Sequence, residues 1–102
     1  MKIHELKIKE KYYKDVALGY KTFELRKNDR DYQEGDLIKF TVVDKTPYSR
    51  LKADQMCEPY YPAAEYALFR ITYVLKDVPE YGLDKDYCIL GIKQVKIVDE
   101  KL

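Results

Sequence analysis

Lys21, Thr22, Glu24 and Arg26 fall within one short stretch, and their side chains are of the types that hold anions and polar heterocycles. In Lys21-Thr22-Phe23-Glu24-Leu25-Arg26 polar and apolar residues alternate, which is the period of a strand. Such a strand sets Phe23 and Leu25 on one face, expected to be buried. Thr22, Glu24 and Arg26 share the other face, expected to point to a cleft or to solvent. Residues two apart on a strand face lie roughly 6–7 Å apart, so these side chains can converge on one small ligand. Lys21 and Arg26 offer N–H donors and positive charge to a phosphate or to the acceptor edge of a base. Glu24 accepts from an exocyclic amine or fixes the rotamer of Arg26. The plain alternative is a surface ion pair, worth about 0–1 kcal/mol.

Charge and aromatic content extend this reading. Residues 1–30 hold nine Lys and Arg, with Lys27 and Arg30 just past the strand, against five acids, although the whole chain carries a net charge of only +1. That imbalance suggests one positive face, or simply a solvated helix and turn. Tyrosine is abundant, at 11 residues, and tryptophan is absent. Aromatic faces stack on unpaired bases. Tyr20, Tyr60 and Tyr61 lie in expected loops and are the candidate stackers. Tyr12, Tyr13, Tyr66 and Tyr73 are expected in the core or at its edge.

The elements that must position these residues follow from periodicity. A strand is expected over residues 3–8, then a helix over most of Lys9–Leu18 with Tyr12, Tyr13, Val16 and Ala17 on its apolar stripe. Gly19 suits the position just past a helix end, where a left-handed backbone is needed. Further strands are expected at Leu37–Asp44, Tyr66–Leu75 and Tyr87–Val98. The apolar parity of the last changes near Gly91, which suggests a bulge there. From Lys45 to Glu65 the pattern is lost among Pro47, Pro59 and Pro62. A loop of that length is usually functional or partly disordered. One early helix and several curved antiparallel strands make a single α+β domain over residues 1–102, a small curved or closed β-barrel.

Composition narrows the class. The N-terminus has no apolar run and no stretch could span a bilayer, so a cytoplasmic protein without a membrane partner is expected. Cys57 and Cys88 are too far apart for a C-x-x-C pattern and His4 is the only histidine, so no metal and no cofactor are expected.

Gly19-Tyr20-Lys21-Thr22-Phe23-Glu24-Leu25-Arg26 fits G-x-K-x-x-E-x-R and resembles the signature of ASCH domains of the PUA-like superfamily. His4-Glu5-Leu6-Lys7-Ile8, Arg26-Lys27-Asn28-Asp29-Arg30-Asp31, Gly35-Asp36 and Tyr87-Cys88-Ile89-Leu90-Gly91-Ile92 look like those of a short bacterial and phage ASCH-like group of unknown function. The resemblance implies a PUA-like barrel with a cleft near the helix and the signature strand. Lys21, Glu24, Arg26, Lys27, Arg30, Tyr20, Tyr60 and Tyr61 would then contact RNA or a nucleotide-like molecule, without catalysis. Some ASCH-fold proteins remove an acyl group from a cytidine-type base with a Lys, a Thr and a Glu. Lys21 and Thr22 match two of these, and Glu65 and Glu80 are candidates for the third. Glu24 works against that alternative, because a neighbouring carboxylate favours the ammonium form of a lysine. A third alternative is a phage-type regulator that binds a host protein through the Tyr/Pro-rich segment 45–65.

Overall fold

The computed structural model describes residues 1–44 and 67–97. The segment from Lys45 to Tyr66, with Cys57, Tyr60, Tyr61 and Glu65, lies outside the described residues. The described residues form five strands and one α-helix in the order β1 (Ile3–Ile8), α1 (Glu10–Ala17), β2 (Phe23–Lys27), β3 (Leu37–Val42), β4 (Ala67–Leu75) and β5 (Tyr87–Ile97), with a 3-10 turn at Pro79–Tyr81. The strands form one sheet in the order β1-β3-β4-β5-β2, curled into a half-barrel. β1 runs parallel to β3, and every other neighbouring pair is antiparallel. No helix among the described residues is long and apolar enough to cross a membrane.

Side-chain alternation sorts the sheet into two faces. Leu6 and Ile8, Ile38 and Phe40, Ala67, Phe69 and Ile71, and Cys88, Leu90 and Ile92 point inward from four strands, and Tyr13 and Val16 of α1 pack onto them. Phe40 meets Tyr13 and Phe69 edge-on, with ring centroids 6.2 and 5.5 Å apart. These apolar contacts hold the helix inside the curl of the sheet.

β2 reverses the expected facing. Phe23 and Leu25 are 47% and 57% exposed, whereas Glu24 is 4% exposed. The reason is position: β2 is an edge strand, and its inward side meets the open edge of β1 rather than a packed neighbour. Among the described residues no strand pairs with the carbonyls of that edge, so polar side chains rather than apolar ones are needed against it.

A bulge lies at the level of Gly91, as expected, but its extra residue belongs to the partner strand. Ile71 pairs with Ile92 and Tyr73 with Gly91, which leaves Thr72 as the extra residue, in β4. A second irregularity, at Phe69–Gln94 and Leu68–Lys96, leaves Val95 extra in β5 and accounts for the late change of parity in that strand. Without Thr72, Tyr73 would follow Phe69 and Ile71 into the core. With it, Val74 packs on the core and Tyr73 is exposed. Tyr12, likewise expected near the core, is exposed on the outer flank of α1.

Gly91 is required by the bulge opposite it. A Cβ there would lie 2.8 Å from Thr72 Oγ1 and 3.5 Å from Tyr73 Cβ. Gly→Ala in a strand ordinarily gains about 0.5–1 kcal/mol. Here we expect Gly91→Ala to destabilise by about 1 kcal/mol through overpacking, and the same change in a Thr72→Ala background to be neutral or stabilising. Urea unfolding of the four proteins reads the sign, and the same cost in both backgrounds would contradict the clash.

Candidate functional site

The end of α1 sets where the signature strand begins. Gly19 adopts φ 85°, and its N–H donates to the Val16 carbonyl at 3.1 Å while Tyr20 N–H donates to that of Asp15 at 2.9 Å. These paired bonds close the helix as a Schellman motif. Lys21 N–H also donates to the Asp15 carbonyl, at 3.0 Å, so Lys21 is tied to the last turn. Ile92 N–H then donates to the Thr22 carbonyl at 3.0 Å, and pairing with β5 begins.

Glu24 points inward and collects two cations. Its Oε1 is in contact with Lys21 Nζ, and its Oε2 accepts from Arg26 Nη2 at 3.0 Å and from Nε at 3.3 Å. Lys21 Nζ donates as well to the Phe23 carbonyl at 2.8 Å. The side chains of Lys21 and Arg26 remain 20% and 21% exposed, against 6% for that of Glu24, so part of each cationic side chain reaches solvent while the carboxylate is covered. Glu24 itself does not point to a cleft or to solvent, as the alternation of residue types suggests. Its burial follows from the reversed facing of β2.

Arg26 and Arg30 reach further, to the opposite edge of the sheet. Arg26 Nη2 donates to the Lys7 carbonyl at 2.7 Å and Arg30 Nη1 to the Glu5 carbonyl at 3.1 Å. The Lys2 and Ile8 carbonyls accept from β3, so the carbonyls of the odd-numbered residues of β1 point away from it. Two arginines thus bridge a seam between β1 and β2 that no strand pairing among the described residues closes.

Aromatic rings gather where the seam meets α1. Lys21 Nζ lies 4.9 Å from the centroid of Phe23 and 5.6 Å from that of Tyr12, both exposed rings, and Lys11 Nζ lies 5.0 Å from Tyr12. Such contacts suit a cation held over π faces. Tyr20 is exposed beside them. The structure therefore brings together Lys21, Glu24, Arg26 and, along the seam, Arg30. Lys27 is exposed on the outer face of β2, away from Glu24. Thr22 is exposed, and among the described residues no side chain hydrogen-bonds its hydroxyl. Glu80 lies in the 3-10 turn, and Tyr60, Tyr61 and Glu65 lie outside the described residues.

A second polar cluster is buried and was not singled out by residue pattern. His4 Nε2 and Asp36 Oδ2 are 2.8 Å apart, and the two residues are buried together. Asp36 Oδ1 accepts from Lys2 N–H at 3.1 Å, and Oδ2 from Gln33 N–H at 3.1 Å. Burial alone would raise the Asp36 carboxyl; the hydrogen bonds from His4, Lys2 and Gln33 outweigh it and hold the group below its ordinary value. Tyr32 packs against the imidazole, with ring centroids 4.8 Å apart, and burial pushes its phenol up against the opposing charges of Arg30 and Arg26. His4 and Asp36 stand 32 positions apart, so no periodicity could pair them. The only available signal was their presence in two separate segments of the ASCH-like resemblance. Cys88 is buried, and burial pushes its thiol up, the environment of an inert cysteine. Among the described residues no group of side chains could hold a metal ion.

Residues 3–92 match the family described as Domain of unknown function (DUF3850), and the chain belongs to that family. It is similar to an uncharacterized 12.9 kDa protein in the GpA 3′ region of Escherichia phage P2, with 49% identity over 37 residues. The matched stretch is 36% of this chain and 34% of the phage protein, so the chain spans about a third of the length of the curated relative it matches.

Proposed function

We propose that this member of the family is a non-catalytic RNA- or nucleotide-binding module of the PUA-like, ASCH type, acting in the cytoplasm. The observation that carries the reading is the position of the Lys21 ammonium over the exposed rings of Phe23 and Tyr12, at 4.9 and 5.6 Å. A cation and two π faces lie within the span of one nucleotide. Phosphate meets Lys21 and the exposed part of Arg26, and a base lies against Tyr12, Tyr20 or Phe23. Glu24 has a positioning role: it holds both cations at the mouth of the seam and leaves their outer surfaces to the ligand. The curled half-barrel with one helix is compatible with the PUA-like assignment. Among the described residues no base contacts the Thr22 hydroxyl, and Lys21 is held by Glu24 and the Phe23 carbonyl, which supports a binding role over a nucleophilic one.

Titration of a fluorescent single-stranded RNA at increasing salt tests the reading. Binding should weaken with salt, each phosphate neutralised contributing about −0.7 to the log–log slope. Lys21→Gln should make the slope shallower by about that amount, with the fold checked by circular dichroism. Absent or salt-independent binding would overturn the proposal. Release of the acyl group from an acylated cytidine by the intact chain, lost in Thr22→Ala, would replace it with a small amidohydrolase.

A further inference from the structure

The outer face of the sheet is a second surface that the seam does not use. In register across β2, β5 and β4, Phe23 stands opposite Gly91 and Gly91 opposite Tyr73. The next row is Leu25, Ile89 and Leu75, and beyond it Lys27 stands opposite Tyr87. Phe23, Leu25, Tyr73 and Tyr87 are all exposed. Gly91 has no side chain, so two aromatic residues flank a gap two strand spacings wide, roughly 10 Å between backbones. A planar ring in contact on both faces needs roughly 7–8 Å. The extra residue of the β4 bulge supplies a polar group here: Thr72 Oγ1 occupies the space above Gly91, 2.8 Å from where a Cβ would be. The floor of the gap thus carries a hydroxyl able to donate to or accept from a base edge.

Charge decides what kind of partner such a face fits. The outward residues of the described strands include the cations Lys7, Lys27, Lys39, Arg70 and Lys93 and the single carboxylate Glu5. Arg70 and Lys93 stand in register with each other, next along the strands from Tyr73 and Gly91, while Lys27 lies at the other end of the aromatic stripe. Cations at both ends of an aromatic and aliphatic stripe complement a chain whose charge lies on its backbone and whose flat groups project from it.

We propose that this outer face is a track for single-stranded nucleic acid, with one base entering between Phe23 and Tyr73 above Gly91 and flanking phosphates on Lys27 and on the Arg70–Lys93 pair. The inference rests on the nucleic-acid reading of the seam and extends it from a single nucleotide to a strand of several. Phe23 joins the two sites, since it also faces the Lys21 ammonium.

The test is fluorescence anisotropy with a labelled ten-uridine RNA, with uridine monophosphate and a duplex of equal length as competitors. The single strand should bind in preference to both. Tyr73→Ala should weaken it by roughly tenfold or more, within the range for loss of one stacked base, while Tyr73→Phe retains the affinity. Lys93→Gln should make the salt slope shallower. Tyr73 is exposed, so its truncation should leave the fold intact; if it does not, Tyr73→Thr, which suits a strand, reads the same wall. Weakening by Lys21→Gln with no effect of Tyr73→Ala or Lys93→Gln would sink the track and leave the seam reading standing. The reverse would sink the seam alone, and no RNA binding would sink both. Self-association abolished by Tyr73→Ala, without RNA binding, would make the face a protein interface and overturn the proposal.

Discussion

Glu24→Ala is expected to lower the free energy of unfolding by about 3 kcal/mol, the low end of the cost of removing one partner from a buried ion pair. The low end applies because Lys21 and Arg26 each keep about a fifth of their side chains exposed and can be partly hydrated once the carboxylate is gone. The loss has two components. Two cations lose their common partner, and Arg26 loses the contact that aims it at the Lys7 carbonyl. Glu24→Gln keeps the shape and one acceptor oxygen, so it should cost roughly half as much. Arg26→Ala should be destabilising in its own right, and with Glu24→Ala the two costs should sum to less than their separate values. Tryptophan is absent, so urea unfolding is followed by far-ultraviolet circular dichroism. A Glu24→Ala protein within about 0.5 kcal/mol of the parent would show that the cluster is an ordinary surface pair.

Asp36→Ala is expected to cost as much or more. Three hydrogen bonds converge on this buried carboxylate, two of them from backbone amides. Bonds to a charged acceptor contribute about 1.5–3 kcal/mol each, and they are not additive. We expect a loss of about 3–4 kcal/mol, with Asp36→Asn intermediate because one acceptor oxygen remains. Acid offers an independent reading. The folded-state value of Asp36 lies below the 3.8 of an unperturbed carboxyl. The stabilisation is therefore complete above that pH and lost as pH falls through the lower, folded-state value. In Asp36→Ala this share of the acid-induced loss should be absent, so the parent and variant stabilities should converge below about pH 4. Parallel stability curves across that range would exclude the linkage.

Local features were legible in the sequence, and those set by distant strands were not. β1 at Ile3–Ile8, the helix and its Gly19 end, and the starts of β3 and β5 follow from periodicity and from a left-handed glycine. Alternation in β2 was read correctly, but its facing was not. The apolar-inside rule presumes a packed neighbour, and β2 meets the bare edge of β1 instead. Tyr73 shows a similar limit. Its outward position is set by one extra residue, Thr72, whose presence becomes visible only in register with β5. The parallel pairing of β1 with β3, separated by α1 and β2, had no local signal either. Residue type and spacing bring Lys21, Glu24 and Arg26 together as neighbours on one strand, and they are in contact, whereas the His4–Asp36 pair needs the fold.

The strand order also implies a sequence of events. The two margins of the sheet, β1 and β2, both belong to the first third of the chain, and the three strands between them come later. The two arginine bridges connect residues only 19 and 25 positions apart. Bringing together such short loops costs less entropy than the later pairing of β5 with β2, whose partners stand much further apart in the chain. Synthesis from the N-terminus therefore delivers both margins, and the means to join them, before the strands that fill the gap. Guanidinium bridges leave the ladder-facing N–H and C=O groups of β1 and β2 untouched, so the early joint does not block the strands still to come. The strand order thus lets the half-barrel assemble from its rims inward, with side chains bridging the margins before the backbone fills the space between them.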